Sequence, residues 1–351
     1  MKKFTFILTI ALVISLLAGC AGTPVVYYTN CTCPTGSHDT PAATEPAAEN
    51  EATEAPVVAE GALKTGMSIL TAAEASETEG KASYDVTLAA VLVDENGVIV
   101  DCVIDSIGAD VTFDATGAIT SDVTAEVLTK NEKGDNYGMV AWGGAIAEWY
   151  QQAEAVAQYA IGKTASELVN GAVNESGYAA DADLAASATI YIGTYVDAII
   201  SACDNAVALG AQAGDELVLT TINSLESSTT GNIQLDVNAV ALSRNGDVIT
   251  SCYMDALQAK IAIAEDGTVE MGNLMTKNQL GYDYGMVAWA GATYEWFEQA
   301  ANFASYITGK TAAEVAGIAI TETTAPAEAD LAASVTISIG GFMALIAKAM
   351  Q

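Results

Sequence analysis

Residues 130–153 read KNEKGDNYGMVAWGGAIAEWYQQA, and residues 277–300 read KNQLGYDYGMVAWAGATYEWFEQA. The second stretch repeats the first without a gap, at a constant offset of 147 residues. The match continues through GKTASE and GKTAAE, and through DADLAASATIYIG and EADLAASVTISIG. Upstream, DENGVIVDCVID matches SRNGDVITSCYMD with one inserted residue. Copies of roughly 145 residues have the size of domains rather than of solenoid units, so the sequence predicts two tandem homologous domains, residues 61–210 and 211–351.

The order of elements within each copy predicts an α+β fold. The stretch VTLAAVLVDENGVIVDCVID reads as two β-strands joined at Asn96-Gly97, a dipeptide typical of tight hairpins. The stretch from Val140 to Ala160 has helical spacing, with Trp142 and Trp149 seven residues apart and therefore on one helix face. Strands that precede helices indicate a small antiparallel sheet packed with helices in each domain.

A Gly-Lys-Thr tripeptide recurs at residues 162–164 and 309–311 and resembles the end of a phosphate-binding loop. The glycine that such a loop needs upstream is replaced by Ala157 in one copy and by Ala304 in the other. We therefore interpret each tripeptide as the end of one helix followed by a T-x-x-E capping box that opens the next.

The N-terminal segment carries the pattern of a bacterial lipoprotein. Residues 1–19 combine two lysines with an apolar run and the small pair Ala-Gly, which is typical of a secretory signal peptide followed by a lipid-bearing cysteine, here Cys20. Residues 20–60 are rich in Thr, Pro, Ala and Glu and predict a disordered tether. The sequence thus predicts a protein anchored by lipid at the extracytoplasmic face of a bacterial membrane.

The charge balance excludes several classes of function. Twelve basic residues stand against 44 acidic ones, a formal net charge of −32, which opposes binding to nucleic acid. The chain holds one histidine, His38, and one arginine, Arg244, so it lacks the usual parts of Ser-His-Asp catalysis, multi-histidine metal sites and paired-arginine phosphate clamps. We expect neither a catalytic residue nor a metal site.

Aromatic residues kept in both copies predict either core packing or a ligand-binding face. The residues of this predicted face are Trp142, Trp149, Trp289, Trp296, Tyr137 and Tyr284. Glu148 and Glu295 each precede a tryptophan, and we expect them on a solvated helix face. Cys102 and Cys252 lie within predicted strands, and we interpret them as buried thiols rather than as parts of a disulfide framework.

A late motif in each copy resembles the FMN-binding domain of bacterial surface flavoproteins, including tandem-domain lipoproteins. That family has D-x-x-[ST]-G-A-T, and its final threonine carries FMN through a phosphodiester bond made by a separate flavin transferase. The matching runs here read DLAASAT and DLAASVT, so the resemblance keeps the aspartate and the threonine, and it replaces the hydroxyl residue by alanine and the glycine by serine. It implies cofactor-binding roles for Asp183, Ser187 and Thr189 and for Asp330, Ser334 and Thr336. The other interpretation is that the serine and threonine begin a helix.

Two hypotheses follow for the function. The resemblance implies a flavin-based extracellular electron carrier that receives electrons from a membrane quinone oxidase. The alternative is a cofactor-free surface binding module that uses the aromatic face of each repeat, duplicated for avidity. Under both hypotheses the chain is not expected to be a substrate-converting enzyme.

Overall fold

The computed structural model describes residues 61–76, 80–264 and 268–351. The predicted signal peptide, the lipid attachment at Cys20 and the predicted tether lie outside the described residues, so they stay predictions. Repeat 1 and repeat 2 below mean residues 61–210 and 211–351.

Repeat 1 begins with a three-stranded antiparallel sheet in the order β1-β2-β3. Its strands are β1 (Lys64–Ser76), β2 (Lys81–Val93) and β3 (Ile99–Thr112). The tight turn between β2 and β3 has Gly97 at φ 78°, a conformation that glycine adopts without strain, so the predicted hairpin is confirmed. The sequence pattern does not predict strand β1, because its buried residues do not alternate with polar ones.

Six α-helices follow the sheet of repeat 1. They are α1 (Lys130–Lys133), α2 (Met139–Gly143), α3 (Trp149–Ala160), α4 (Ala165–Gly171), α5 (Ala182–Ser187) and α6 (Gly193–Asp204). Thr164 and Glu167 form the expected capping box at the start of α4, so the Gly-Lys-Thr segment ends one helix and caps the next.

Repeat 2 has the same order of strands and helices, with one extra short strand. Its sheet is β4 (Glu216–Ser224), β5 (Asn232–Asn245), β6 (Val248–Ile263) and β7 (Val269–Met271), antiparallel in that order. Its helices are α7 (Lys277–Leu280), α8 (Met286–Ala290), α9 (Trp296–Ile307), α10 (Ala312–Ala316), α11 (Ala329–Ala332) and α12 (Gly340–Ala349). The fold is therefore a mixture of helices and two antiparallel sheets, in line with the α+β prediction.

The two sheets pack face to face and share one hydrophobic core. Side chains such as Met67, Leu88 and Ile107 from repeat 1 join Leu235 and Ile261 from repeat 2 in this core. Two further cores lie on the outer sheet faces, where helices α3 and α6 cover the first sheet and α9 and α12 cover the second. The result is four layers in the order helix, sheet, sheet, helix, in which each repeat buries one face of its sheet against the other repeat.

Hydrogen bonds between the repeats show how the sheets are aligned. Thr65, near the start of β1, pairs with Ser251, near the start of β6, through their hydroxyls at 2.6 Å. Tyr84, near the start of β2, donates to the carbonyl oxygen of Ile233, at the start of β5. Corresponding strands therefore run in the same direction. We call the end where β1 begins the near end and the opposite end the far end.

The stretch from Val140 to Ala160 is not one helix, and this prediction was wrong. Helix α2 ends at Gly143, its C-cap Gly144 has φ 64°, and α3 begins only at Trp149. Because the chain turns between the two helices, the seven-residue spacing no longer places Trp142 and Trp149 on one face. Their environments are opposite, since Trp142 is 89% exposed and Trp149 is 2% exposed.

Candidate functional site

The most exposed tryptophans in the described residues occupy equivalent places in the two repeats. Trp142 on α2 and Trp289 on α8 are each 89% exposed. Val140 and Ile146 beside the first, and Val287 beside the second, are also exposed. We call residues 138–147 and 285–294 the tryptophan platforms. In a chain with 44 acidic residues, each platform contains no charged side chain.

A buried carboxylate holds each platform in place. The carboxylate of Glu148 accepts hydrogen bonds from the backbone N–H groups of Met139 and Val140 at 2.8 and 2.9 Å. Glu295 accepts from Met286 and Val287 at the same two distances. These glutamates are 6% and 1% exposed, so the prediction that they lie on a solvated helix face was wrong. They compensate the free N–H groups at the start of a short helix.

A glycine fixes the orientation of each exposed indole. Gly138 has φ 81°, and a Cβ atom on it would lie 2.1 Å from Cδ1 of Trp142. The corresponding distance from Gly285 to Trp289 is 2.3 Å. The indole ring thus packs directly on the glycine backbone, which no other residue type permits. The tryptophan is therefore held by its own helix turn although most of its surface faces solvent.

The other two tryptophans belong to the core of their repeats. Trp149 donates from its indole nitrogen to the hydroxyl of Tyr195 at 2.9 Å, with the two rings edge to face. Trp296 makes an edge-to-face contact with Phe342, the counterpart of Tyr195. The predicted aromatic face is therefore divided, because Trp142 and Trp289 are almost fully exposed, Tyr137 is 37% exposed, and Trp149 and Trp296 are buried.

A lysine ammonium lies against the inner aromatic rings in both repeats. Nζ of Lys130 is 5.2 Å from the Trp149 ring centre and 5.5 Å from that of Tyr137. In repeat 2, Nζ of Lys277 lies 4.9 Å from the ring centres of both Trp296 and Tyr284. These are cation–π distances. Burial lowers the pKa of Lys130, while the nearby Asp85 carboxylate acts in the opposite direction.

The residues implied by the flavoprotein resemblance lie together at the connection between α5 and α6. Thr189 is exposed, and both its backbone N–H and its hydroxyl donate to Oε1 of the buried Gln152, at 2.8 and 3.2 Å. Ser187 is the last residue of α5, so the interpretation that these residues begin a helix was wrong. The N-cap of α5 is Asp181, whose carboxylate accepts the backbone N–H of Asp183.

Repeat 2 places its counterparts in the same way. The backbone N–H and the hydroxyl of Thr336 donate to Oε1 of Gln299 at 2.8 and 3.1 Å. Asp330 is exposed on α11, and Ser334 follows that helix. The two glutamines were not singled out from the sequence, although they recur at the 147-residue offset.

These surroundings do not fit a site for the FMN phosphate. A phosphate bound beside Thr189 or Thr336 would be held by free N–H groups, and the N–H of each threonine is already donated inward to a glutamine. The replaced glycine also removes the close backbone approach that the family motif provides. Each threonine hydroxyl is nevertheless at the surface, so covalent attachment stays a prediction of the resemblance.

The remaining sequence predictions concern the cysteines and metal binding. Cys102 and Cys252 are buried free thiols, as expected, and burial raises their pKa values. Within residues 61–76, 80–264 and 268–351, no cluster of His, Cys, Asp or Glu could hold a metal ion. In the same part of the chain, no helix combines the length and the apolar character needed to cross a membrane.

Comparisons of the chain with protein-family models, with curated proteins and with solved structures found no match.

Proposed function

We propose that this chain is a cofactor-free binding protein whose two tryptophan platforms contact a neutral polysaccharide at the cell surface. The observation that carries the proposal is that Trp142 and Trp289, each 89% exposed, stand on equally rigid supports in both repeats. Exposing a large apolar ring is unfavourable for a free protein, and tryptophan is enriched among the residues that dominate binding interfaces.

The uncharged platforms favour a neutral ligand. The formal net charge of −32 repels nucleic acids and the anionic lipids of bacterial membranes. The flat face of an indole ring matches the apolar face of a pyranose sugar. Covering roughly 100 Å² of the ring contributes about 2.5 kcal/mol, or between tenfold and a hundredfold in affinity for each platform.

The position of the platforms supports contact with a ligand remote from the predicted membrane anchor. Helix α3 ends at the near end of the sheet, where the N–H of Ile99 bonds to the carbonyl oxygen of Lys163. The platform of repeat 1 precedes the opposite end of α3, and that of repeat 2 precedes the opposite end of α9 in the same way. Residue 61, which follows the predicted tether in the sequence, lies at the near end, where β1 begins. Both platforms thus lie away from the near end, and they belong to opposite helical layers. A branched or layered polymer is able to contact both.

The proposal is tested by co-sedimentation of the full chain with insoluble chitin and mannan and by affinity electrophoresis in amylose and dextran. We expect retention by at least one of these neutral polysaccharides. Trp142→Ala and Trp289→Ala should each weaken it, and the double variant should abolish it. Because both side chains are almost fully exposed, circular dichroism should show an unchanged fold for all three variants.

Tyr178→Ala is the matched control. Tyr178 is exposed in the helical layer of repeat 1, and its counterpart in repeat 2 is Ala325, so it belongs to neither platform. This variant should bind like the unmodified chain. Binding that survives in the double tryptophan variant would refute the proposal. Binding to phosphatidylglycerol vesicles with none to the polysaccharides would refute it as well and would assign the platforms to a membrane.

A further inference from the structure

Two cavities occupy matching places toward the far ends of the two sheets. The cavity of repeat 1 measures about 250 Å³ and is lined by Glu74, Asp85 and Lys130 together with serine, threonine and tyrosine side chains. The cavity of repeat 2 measures about 540 Å³ and is lined by Glu226, Asp236 and Lys277. The strand register shows that the charged residues of the two cavities occupy equivalent positions. Asp85 pairs with Ala72 of β1, Asp236 pairs with Ser224 of β4, and in each sheet the glutamate follows two residues later.

In repeat 2, the protein itself supplies the donors for the central carboxylate. Asp236 accepts hydrogen bonds from Nε2 of Gln234 at 2.7 Å, from Nε2 of Gln258 at 3.4 Å and from the hydroxyl of Ser227. Gln258 stands directly opposite Asp236 in the pairing of β5 with β6. Two side-chain amides and a hydroxyl thus satisfy this carboxylate.

In repeat 1, the corresponding donors are absent. The residue directly opposite Asp85 is Gly108, and a Cβ atom built on Gly108 would meet only Oδ1 of Asp85, at 3.9 Å. Ser83, which replaces Gln234 in the register, donates to Asp110 instead. Among the described residues, none donates a hydrogen bond to Asp85. The space that the Gln258 amide fills in repeat 2 is therefore open in repeat 1, beside an exposed carboxylate that accepts no hydrogen bond from the described residues.

A positive charge, the ammonium group of Lys130, lines the same cavity. The Lys130 ammonium is held over the rings of Tyr137 and Trp149 and forms no ion pair with the carboxylates that the structure describes. Tyr191 and Tyr195 line the cavity from the α6 side. A ligand there meets the Asp85 carboxylate and the Lys130 ammonium, which act on each other electrostatically but form no direct ion pair, within a volume of roughly eight water molecules.

We infer that the cavity of repeat 1 binds a small zwitterion of the amino-acid class, with its ammonium group at Asp85 and Glu74 and its carboxylate at Lys130. The ligand ammonium takes the place that the Gln258 amide has in repeat 2, since both donate N–H groups to the same carboxylate. Charge-assisted hydrogen bonds of this kind are stronger than those between neutral groups. The inference is independent of the polysaccharide proposal, because the two rest on different residues.

Isothermal titration of the full chain with the standard L-amino acids at millimolar concentration tests the inference, and methylamine and acetate serve as probes of each half. We expect at least one amino acid to bind and both half-ligands to bind more weakly. Asp85→Asn should weaken amino-acid binding about tenfold or more. The matched control Asp236→Asn should leave the affinity unchanged, because that carboxylate is satisfied by its own repeat.

Gly108→Gln is the sharpest variant. It copies Gln258 into repeat 1, where the new Cβ meets only Oδ1 of Asp85 within 4 Å. The added side-chain amide should donate to that carboxylate. We expect binding to be lost and the thermal unfolding midpoint to be retained. The inference is overturned if no amino acid binds, if acetate or methylamine alone binds as tightly as the amino acid, or if Gly108→Gln binds as well as the unmodified chain.

Discussion

Removing the carboxylate of Glu148 should release the tryptophan platform of repeat 1 without unfolding the protein. Helix α2 has only five residues and no fully buried side chain, so the two hydrogen bonds from Met139 and Val140 to Glu148 are its main attachment. A hydrogen bond to a charged group contributes about 1.5 kcal/mol or more. Glu148→Ala should therefore lower the local free energy of opening by about 3 kcal/mol, a hundredfold in the opening equilibrium.

Hydrogen–deuterium exchange measures this opening directly. In Glu148→Ala, the amides of Met139 and Val140 should exchange about a hundredfold faster, because both lose their acceptor. Amides in the centre of β2 should keep their protection, since the platform contributes no fully buried side chain to either core. Glu295→Ala should produce the same change at α8.

Glu154→Ala is the control for Glu148→Ala. Glu154 lies on the same helix, α3, but is exposed, and it accepts none of the hydrogen bonds that the platform amides donate to Glu148. Its exchange pattern should equal that of the unmodified chain. If the platform amides exchange at the same rate in Glu148→Ala as in Glu154→Ala, then the buried carboxylate does not hold the platform, and the account of its rigidity is wrong.

Four further predictions concern the whole molecule. Burial raises the pKa of Asp105 and of Asp255 to about 6, so the native state binds protons more readily than the unfolded chain. The free energy of unfolding measured in urea should therefore rise as the pH falls from about 6 toward 4. Replacing both aspartates by asparagine should flatten this part of the pH dependence. Acrylamide should quench about half of the tryptophan emission, and replacing Trp142 and Trp289 by phenylalanine should remove that accessible part. Repeat 1 produced alone should bind the dye ANS and aggregate, because the inner face of its sheet is covered only by repeat 2; a monomeric, cooperatively folding repeat 1 would contradict the shared core. Protein purified from its own host should be colourless with both motif threonines unmodified by mass spectrometry, whereas an FMN mass on either peptide would establish the flavin carrier and refute the cofactor-free proposal.

Features that depend on neighbouring residues were predictable from the sequence. The hairpin at Asn96-Gly97 and the capping box at Thr164 follow from backbone preferences within a few residues, and both are present in the structure. The buried thiols of Cys102 and Cys252 were also expected, because both lie within apolar strands.

The environments of the aromatic and acidic residues were not predictable in this way. The spacing of Trp142 and Trp149 fits a continuous helix, but a glycine in the left-handed conformation and a buried glutamate interrupt it. Glu148 is buried because it compensates N–H groups eight and nine residues earlier in the chain, which no periodicity indicates. The Asp85 cavity was missed for a similar reason, since its difference from repeat 2 depends on Gly108, which lies on another strand.

The sequence by itself therefore determined the repeat, the hairpins, the helix caps and the mixed helix and sheet content, because each depends on residues close together along the chain. The tertiary structure alone decided that the two sheets share a core, that one tryptophan of each pair faces solvent, and that Asp85 faces an open cavity while Asp236 does not. These properties depend on contacts between segments that are far apart in sequence, where the burial of a side chain is set by the partner that packs against it.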